Sequence, residues 1–432
     1  MKLRHKILPL TLCVAMSISG CGLSSANQNY SKALAAYNKN DFTKAQDYFI
    51  KAIEANADKA EYHIDYGFTL LAMKEYDKAR EQFRIVILDK NIPMVSENNK
   101  KAYRGIGISY LCDENYEMAI QNFDAALEIK ELDSLNTDIM YYKASAFEKS
   151  GDNESAIKIY TSILESNPKD DQIYSARANQ YRISKDYENC IADYDKAITL
   201  NPNEFDYYVG KFAALKENNK NAEATAVLEQ AAALKISNED DKYELAKVHF
   251  YQGNYELAMN ELTQSIEAGY TEGYYFIGEI NLMNRDYQTA LDNFNRYLED
   301  NNGASAMLYN QMLTCYLQLK DYDQAKKYLA KAKKYSDPGV KTQLLKNEII
   351  YLEHMGQFEE ALDLMEKYMK ACPEDTDAQK DFYFLKTRTD ALASQGESEN
   401  SGEPTNPGEA SDTTVSGSSK DTPTTGTTIV KP

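Results

Sequence analysis

A small residue that returns about every 34 positions, with a bulky apolar residue four places after it, constrains this chain more than any other feature. The small residue is Ala45, Ala79, Ala119, Ala156, Cys190, Ala224, Ala258, Ala290, Ala325 and Ala361. Its partner is Phe49, Phe83, Phe123, Tyr160, Tyr194, Leu228, Leu262, Phe294, Leu329 and Met365. Intervals run from 32 to 40 residues, and four of the nine are 34. Residues four apart share one helix face. Each interval is too short to enclose a core of its own, so neighbouring units must bury one another's apolar faces. Length alone would suggest about three domains; the repeat predicts one array instead.

The clearest unit reads "KKAYRGIGISYLCDENYEMAIQNFDAALEI", residues 100 to 129. Tyr103, Gly107 and Tyr110 mark a first helix, and Ala119, Phe123 and Ala126 a second. This pattern resembles the tetratricopeptide repeat. The resemblance implies an all-α fold: a right-handed α-solenoid of about ten helix-turn-helix repeats over residues 29–375. Pro168, Pro202 and Pro373 fall where units should stop. The two longest intervals predict surface loops, "NIPMVSENNK" before the third unit and "ELDSLNTD" before the fourth. Three units depart from the pattern. The first lacks an aromatic opener, the sixth has Phe212 at a small-residue slot, and the seventh has His249 at an aromatic one. Residues 376–393, "TDAQKDFYFLKTRTDALA", read as a helix capping the last apolar face. Residues 394–432 are rich in Ser, Thr, Gly and Pro, and a disordered tail is expected there.

The chain begins with Lys2, Arg4, His5 and Lys6, then the apolar run "ILPLTLCVAMSIS" over 7–19. That run is too short to span a bilayer, is broken by Pro9, and has the anatomy of an export signal over residues 1–20. No later window approaches 18 apolar residues. "Ile18-Ser19-Gly20-Cys21" resembles the lipobox of bacterial lipoproteins. The resemblance implies cleavage before Cys21, a diacylglycerol on its thiol, and acylation of the new amino terminus by a palmitate-type chain. Residues 21–28 would then be a short lipid-anchored linker. The implied location is the extracytoplasmic face of the cell membrane, or the outer membrane or periplasmic side where a cell has two membranes.

The whole chain carries a formal charge of −19, from 67 acidic and 48 basic residues. Removing Lys2, Arg4 and Lys6 with a signal would make it more acidic still. Nucleic acid and electrostatic binding to anionic lipid are therefore poor partners, because both need clustered Lys and Arg. Cationic partners are permitted. Cys112, Cys190, Cys315 and Cys372 are widely spaced, which predicts free thiols rather than a disulfide framework or zinc site. His5, His63, His249 and His354 make no metal-ligand pattern, and there is no nucleophile elbow or phosphate loop. The chain is expected not to be an enzyme, and to use no metal, cofactor or small-molecule substrate.

Tyrosine is abundant, with 34 residues and no tryptophan. Tyr76, Tyr116, Tyr187, Tyr255, Tyr287 and Tyr322 each precede the second-helix small residue by three, which predicts packing at the turn. In this family first helices line the inner surface. The matching positions are polar in units four to six, for example Glu148, Lys149, Arg182 and Lys216. In units seven to nine they are Tyr243, Phe250, Tyr251, Tyr275, Leu282, Met283, Met307 and Leu317. That strip either lines a groove for a protein or peptide partner or buries against the next repeat. Chaperone-binding members use a Lys, Asn and Arg clamp for terminal carboxylates. Here Arg104 holds one such position, but Ile108 stands where Asn is needed. The expected role is an interaction scaffold or adaptor at the membrane. A subunit of an outer-membrane barrel or pilus assembly machine is the alternative, and an enzyme or enzyme accessory acting on cell-wall polymer is the second.

Overall fold

The computed structural model describes residues 25 to 400 except 91, 302, 336 and 338. The expected signal peptide, Cys21 with its expected lipid, and the part of the expected tail from residue 401 lie outside the described residues. The chain forms two compact units that divide after Ala224.

In the first unit the helices are α1 (Ser25–Tyr37), α2 (Phe42–Ala55), α3 (Ala60–Ala72), α4 (Tyr76–Val86), α5 (Pro93–Cys112), α6 (Tyr116–Glu128), α7 (Asn136–Ser150), α8 (Asn153–Ser166), α9 (Asp171–Ile183), α10 (Tyr187–Leu200) and α11 (Phe205–Glu217). The division falls inside α12 (Asn221–Ala232). The second unit continues with α13 (Glu239–Tyr251), α14 (Tyr255–Glu267), α15 (Gly273–Met283), α16 (Tyr287–Asn301), α17 (Ala306–Gln318), α18 (Tyr322–Ala332), α19 (Lys341–His354), α20 (Phe358–Ala371) and α21 (Thr376–Asn400). No strand occurs among the described residues, and the fold is an all-α stack of paired helices closed by α21.

Steric fit explains the pairing. All ten small residues of the repeat are fully buried, at 0 % exposure, and their bulky partners expose no more than 7 %. Phe83 shows how the pieces lock. A Cβ on Gly67 of α3 would lie 2.6 Å from its ring, and one on Gly105 of α5 only 2.4 Å from it. The ring thus needs glycine on the first helix of its own pair and on that of the next. Successive first helices also touch one another within each unit, at α3–α5, α9–α11, α13–α15 and α17–α19.

Each hairpin closes in one way. The residue five before the small residue has a left-handed backbone, with φ between 58° and 85° at Asn40, Lys74, Glu114, Gly151, Lys185, Asn219, Gly253, Arg285, Lys320 and Gly356. The next N–H then donates to the carbonyl five residues back, at 2.8 to 3.0 Å in all ten hairpins. This is a Schellman closure, which satisfies carbonyls that the ending helix leaves open. In six hairpins that same next residue caps the second helix. Asp41, Asn115, Asp152, Asp186, Asp286 and Asp321 each accept the backbone N–H three residues on. The six turn tyrosines all open second helices and are half-buried there.

Several expected boundaries shift. The segment "NIPMVSENNK" is not a loop from Pro93 onward. Proline at the first turn starts a helix rather than breaking one, and α5 gains two extra turns. Its Lys100, fully buried, donates from Nζ to the carbonyls of Ile129 at 2.9 Å and Glu131 at 2.8 Å, holding the α6–α7 connection. Within that connection Asp133–Leu135 is a short 3₁₀ turn. Helix α1 starts at Ser25, inside the expected linker of 21–28, and α21 runs seven residues beyond 393, where no proline stops it.

Candidate functional site

The eight residues of the predicted strip lie on α13, α15 and α17, in the second unit. They do not behave alike. Tyr243, Phe250 and Leu317 are buried, at 9 %, 5 % and 4 % exposure. Tyr243 stacks on Tyr270 with ring centroids 5.4 Å apart, Phe250 meets Phe276 at 5.2 Å, and Leu317 packs in the core with Met312 and Cys315. These three serve the packing of successive repeats rather than an open face, because the next first helix covers them. Tyr251, Tyr275, Leu282, Met283 and Met307 are half-buried.

Two aromatic residues absent from the expected strip complete the cluster. Phe276 lies 5.4 Å from Tyr275 and 6.3 Å from Tyr251, edge to face in both cases. Tyr297 of α16 lies 5.5 Å from Tyr275. Phe276 follows Tyr275 directly, and its apolar character was the only sequence signal.

A polar seam runs beside these rings. Gln311 of α17, 6 % exposed, donates to Tyr275 Oη at 3.2 Å. Asn347 of α19 donates to Asn310 Oδ1 at 2.8 Å and to Thr314 Oγ1 at 2.9 Å. Three buried atoms of this seam have no hydrogen-bond partner among the described residues: Glu279 Oε1, Asn310 Nδ2 and Gln311 Oε1. Burial pushes the Glu279 carboxyl up to about 8. Its titratable neighbours stay neutral through that range. Burial raises Tyr275 above its ordinary value and Cys315 to about 12, each further raised by Glu279.

A carboxyl held above its unfolded value binds a proton that the unfolded chain has released. The stability it contributes is therefore complete at pH 4 and is lost as pH rises through about 8. Melting of the native chain should fall more between pH 5 and pH 8.5 than melting of Glu279→Gln. Parallel curves from the two proteins would show that Glu279 is not the titrating group.

The other polar candidates raised by the sequence are occupied or buried. Arg104 is ion-paired with Asp138 and sits 5.4 Å from the Phe68 ring and 5.5 Å from that of Tyr142. Ile108 is buried, so this part of the chain forms no carboxylate clamp. His63 lies between Gln82 Oε1 at 2.8 Å and the Ala57 carbonyl at 2.9 Å, and His249 bonds Glu261 at 2.6 Å. Cys190 and Cys315 are buried free thiols, while Cys112 is exposed and Cys372 half-buried. Among the described residues no group of three His, Cys, Asp or Glu side chains is placed to hold a metal ion. None of their helices is long and apolar enough to cross a membrane.

Comparison with known proteins points the same way as the packing. Models described as tetratricopeptide repeat match residues 30–93, 138–170, 171–204, 243–305 and 307–337, together just over half of the chain. The chain is similar to tetratricopeptide repeat protein 6 of Homo sapiens, 26 % identical over 193 residues, covering 44 % of this chain and 35 % of that protein. It is also similar to the Hsp70-Hsp90 organizing protein of Triticum aestivum, 26 % identical over 219 residues, covering 43 % and 37 %. The match thus spans about a third of the length of these curated relatives. Among solved structures, the APC/C hetero-tetramer Cut9-Hcn1 matches 83 % of this chain and 76 % of its own at 16 % identity, with a TM-score of 0.47. A tetratricopeptide repeat protein from Parabacteroides merdae matches over 57 % and 98 %, at 16 % identity and a TM-score of 0.44. With ten closed hairpins, ten buried small residues and repeat models matched in both halves, the chain belongs to the tetratricopeptide-repeat family.

Proposed function

We propose that this chain is a non-enzymatic interaction scaffold, anchored by lipid on Cys21 at the extracytoplasmic face of a membrane. In this reading it holds a protein or peptide partner on the first helices of its second unit. The observation that carries the binding half is the half-buried apolar strip of Tyr251, Tyr275, Leu282, Met283 and Met307, with orphaned polar atoms beside it. A packed core would have covered these side chains more fully. The anchoring half is supported by the lipobox-like "Ile18-Ser19-Gly20-Cys21" after an export signal. An acylated cysteine would need a second chain or contact for stable attachment, which a diacylglycerol supplies.

One factorial experiment tests both halves. The native chain, Cys21→Ala, and the double variant Tyr251→Ala with Tyr275→Ala are expressed in a lipoprotein-processing bacterium. Each is purified, and its co-purifying proteins are quantified. Cys21→Ala should lose acyl mass and leave the membrane fraction. The double variant should stay in the membrane, keep its helicity and lose its stoichiometric partners. Membrane retention of an unacylated Cys21→Ala protein would overturn the anchor, and unchanged partners on the double variant would move the binding face elsewhere.

A further inference from the structure

On the α15–α17 face, building on the groove reading above, we propose a pocket for one basic side chain, Lys or Arg, of the bound polypeptide. Glu279 supplies the counter-charge, Gln311 a second acceptor, and Tyr275 with Phe276 an aromatic wall.

Four observations converge on this chemistry. First, Glu279 stands one helical turn after Tyr275 on α15, so both side chains share a face. Second, Tyr275 Oη is tied to Gln311 of α17, which places the two helices' polar groups together. Third, Glu279 Oε1 and Gln311 Oε1 are both acceptors without donors, and Gln311 is almost fully buried. Fourth, no cation among the described residues pairs with this carboxyl, and burial is what raises its proton affinity. Some other acids of this unit have partners, as Glu244 has Lys247 and Glu348 has Lys333.

A buried carboxyl resolves its cost in one of two ways: it keeps a proton, or it gains a cation. Glu279 is half-buried as a residue although its Oε1 is covered, so the rest of the side chain is the part a cation would meet first. An ammonium or guanidinium has several donors and no acceptor, which matches two orphaned acceptors. Tyr275 and Phe276 add apolar contact for the aliphatic stem, and a ring face favours the charge. A hydroxyl or amide from a partner would satisfy one oxygen but leave the carboxyl protonated. The chain's net charge of −19 also favours a basic ligand and disfavours an acidic one. This is the opposite polarity to a clamp for terminal carboxylates.

The test is selection of random twelve-residue peptides displayed on phage against the full native chain, Glu279→Gln, and the Tyr251→Ala, Tyr275→Ala double variant, in 0.3 M salt. Circular dichroism checks that each variant is folded. Glu279→Gln keeps the shape of the carboxyl and removes only its charge. The native chain should select peptides with Lys or Arg at one fixed position within an apolar pattern. Glu279→Gln should keep the apolar pattern and lose the basic position. The best peptide, synthesised with its basic residue or with norleucine there, should bind the native chain about 10- to 100-fold better in the basic form. Against Glu279→Gln the two forms should bind within about threefold of each other. Apolar peptides without a basic position, or a basic preference that survives Glu279→Gln, would overturn the pocket and leave the groove standing. Selection unaffected by the double variant, or no selected peptide at all, would overturn the groove and the pocket with it.

Discussion

Phe83→Ala should cost the first unit about 3–5 kcal/mol, toward the upper end of what removing a buried aromatic ring costs. The ring has no exposure and lies against Gly67 of its own pair and Gly105 of the next, with Phe68 edge-on at 5.1 Å. Glycines have no side chains that could swing into the vacated space. The cavity therefore stays open and its cost is not recovered by relaxation. Because Phe83 joins two repeats, the loss is in the contact between neighbours as well as inside one pair. Repeat arrays can unfold piecewise, so hydrogen exchange is a better measure than a single melting temperature. Protection should collapse in α3 to α5 while α9 and α10 keep theirs. A loss below about 1 kcal/mol with protection unchanged in α3 to α5 would contradict the interlocking role.

Arg177→Ala should be comparably severe, about 3–5 kcal/mol, for an electrostatic reason. Arg177 Nε and Nη2 bond the two oxygens of Asp193 at 2.7 and 2.8 Å, and Nη1 donates to Thr161 Oγ1 at 2.9 Å. Asp193 is 6 % exposed. Truncating the arginine leaves a buried carboxylate with no counter-charge, which must take up a proton or draw in water. The same residue ties α9 to both α8 and α10, so one change loosens three helices. Replacing both partners, Arg177→Met with Asp193→Leu, should recover most of the loss, because a buried pair is worth little over a well-packed apolar one. Denaturant titrations of the two single variants and the double give the coupling directly. Additive losses would mean that the pair is not acting as a unit.

The pairing of helices was legible because it rests on size alone. A small residue opposite a ring is a steric requirement that leaves its mark in one position per repeat, and Ala45 through Ala361 carry it. The polar interior was not legible. Lys100, Arg177, Asp193 and Asn310 look like residues of a solvated face until the neighbouring repeat is placed over them. The same limit divided the candidate strip. Phe250 and Tyr251 are adjacent aromatic residues near the end of one helix, yet one is core and the other half-open. Neighbours on a helix point about 100° apart, so only one can face the next first helix, whose own residues lie some way along the chain. Glu279 escaped notice for a related reason: a single acid among 67 acquires meaning only when its surroundings are known to lack a base.

The hairpins hold one more consequence. Seven of the ten left-handed positions are filled by Asn, Lys, Glu or Arg, and only Gly151, Gly253 and Gly356 use the residue that adopts that conformation freely. A side chain with a Cβ pays about 1–2 kcal/mol to sit there, partly offset by the lower entropy it loses on folding. The array is thus tuned below its attainable rigidity at seven of its ten joints, each at a turn outside the core. Selection, or an engineer, can tighten this molecule one joint at a time without altering what it touches.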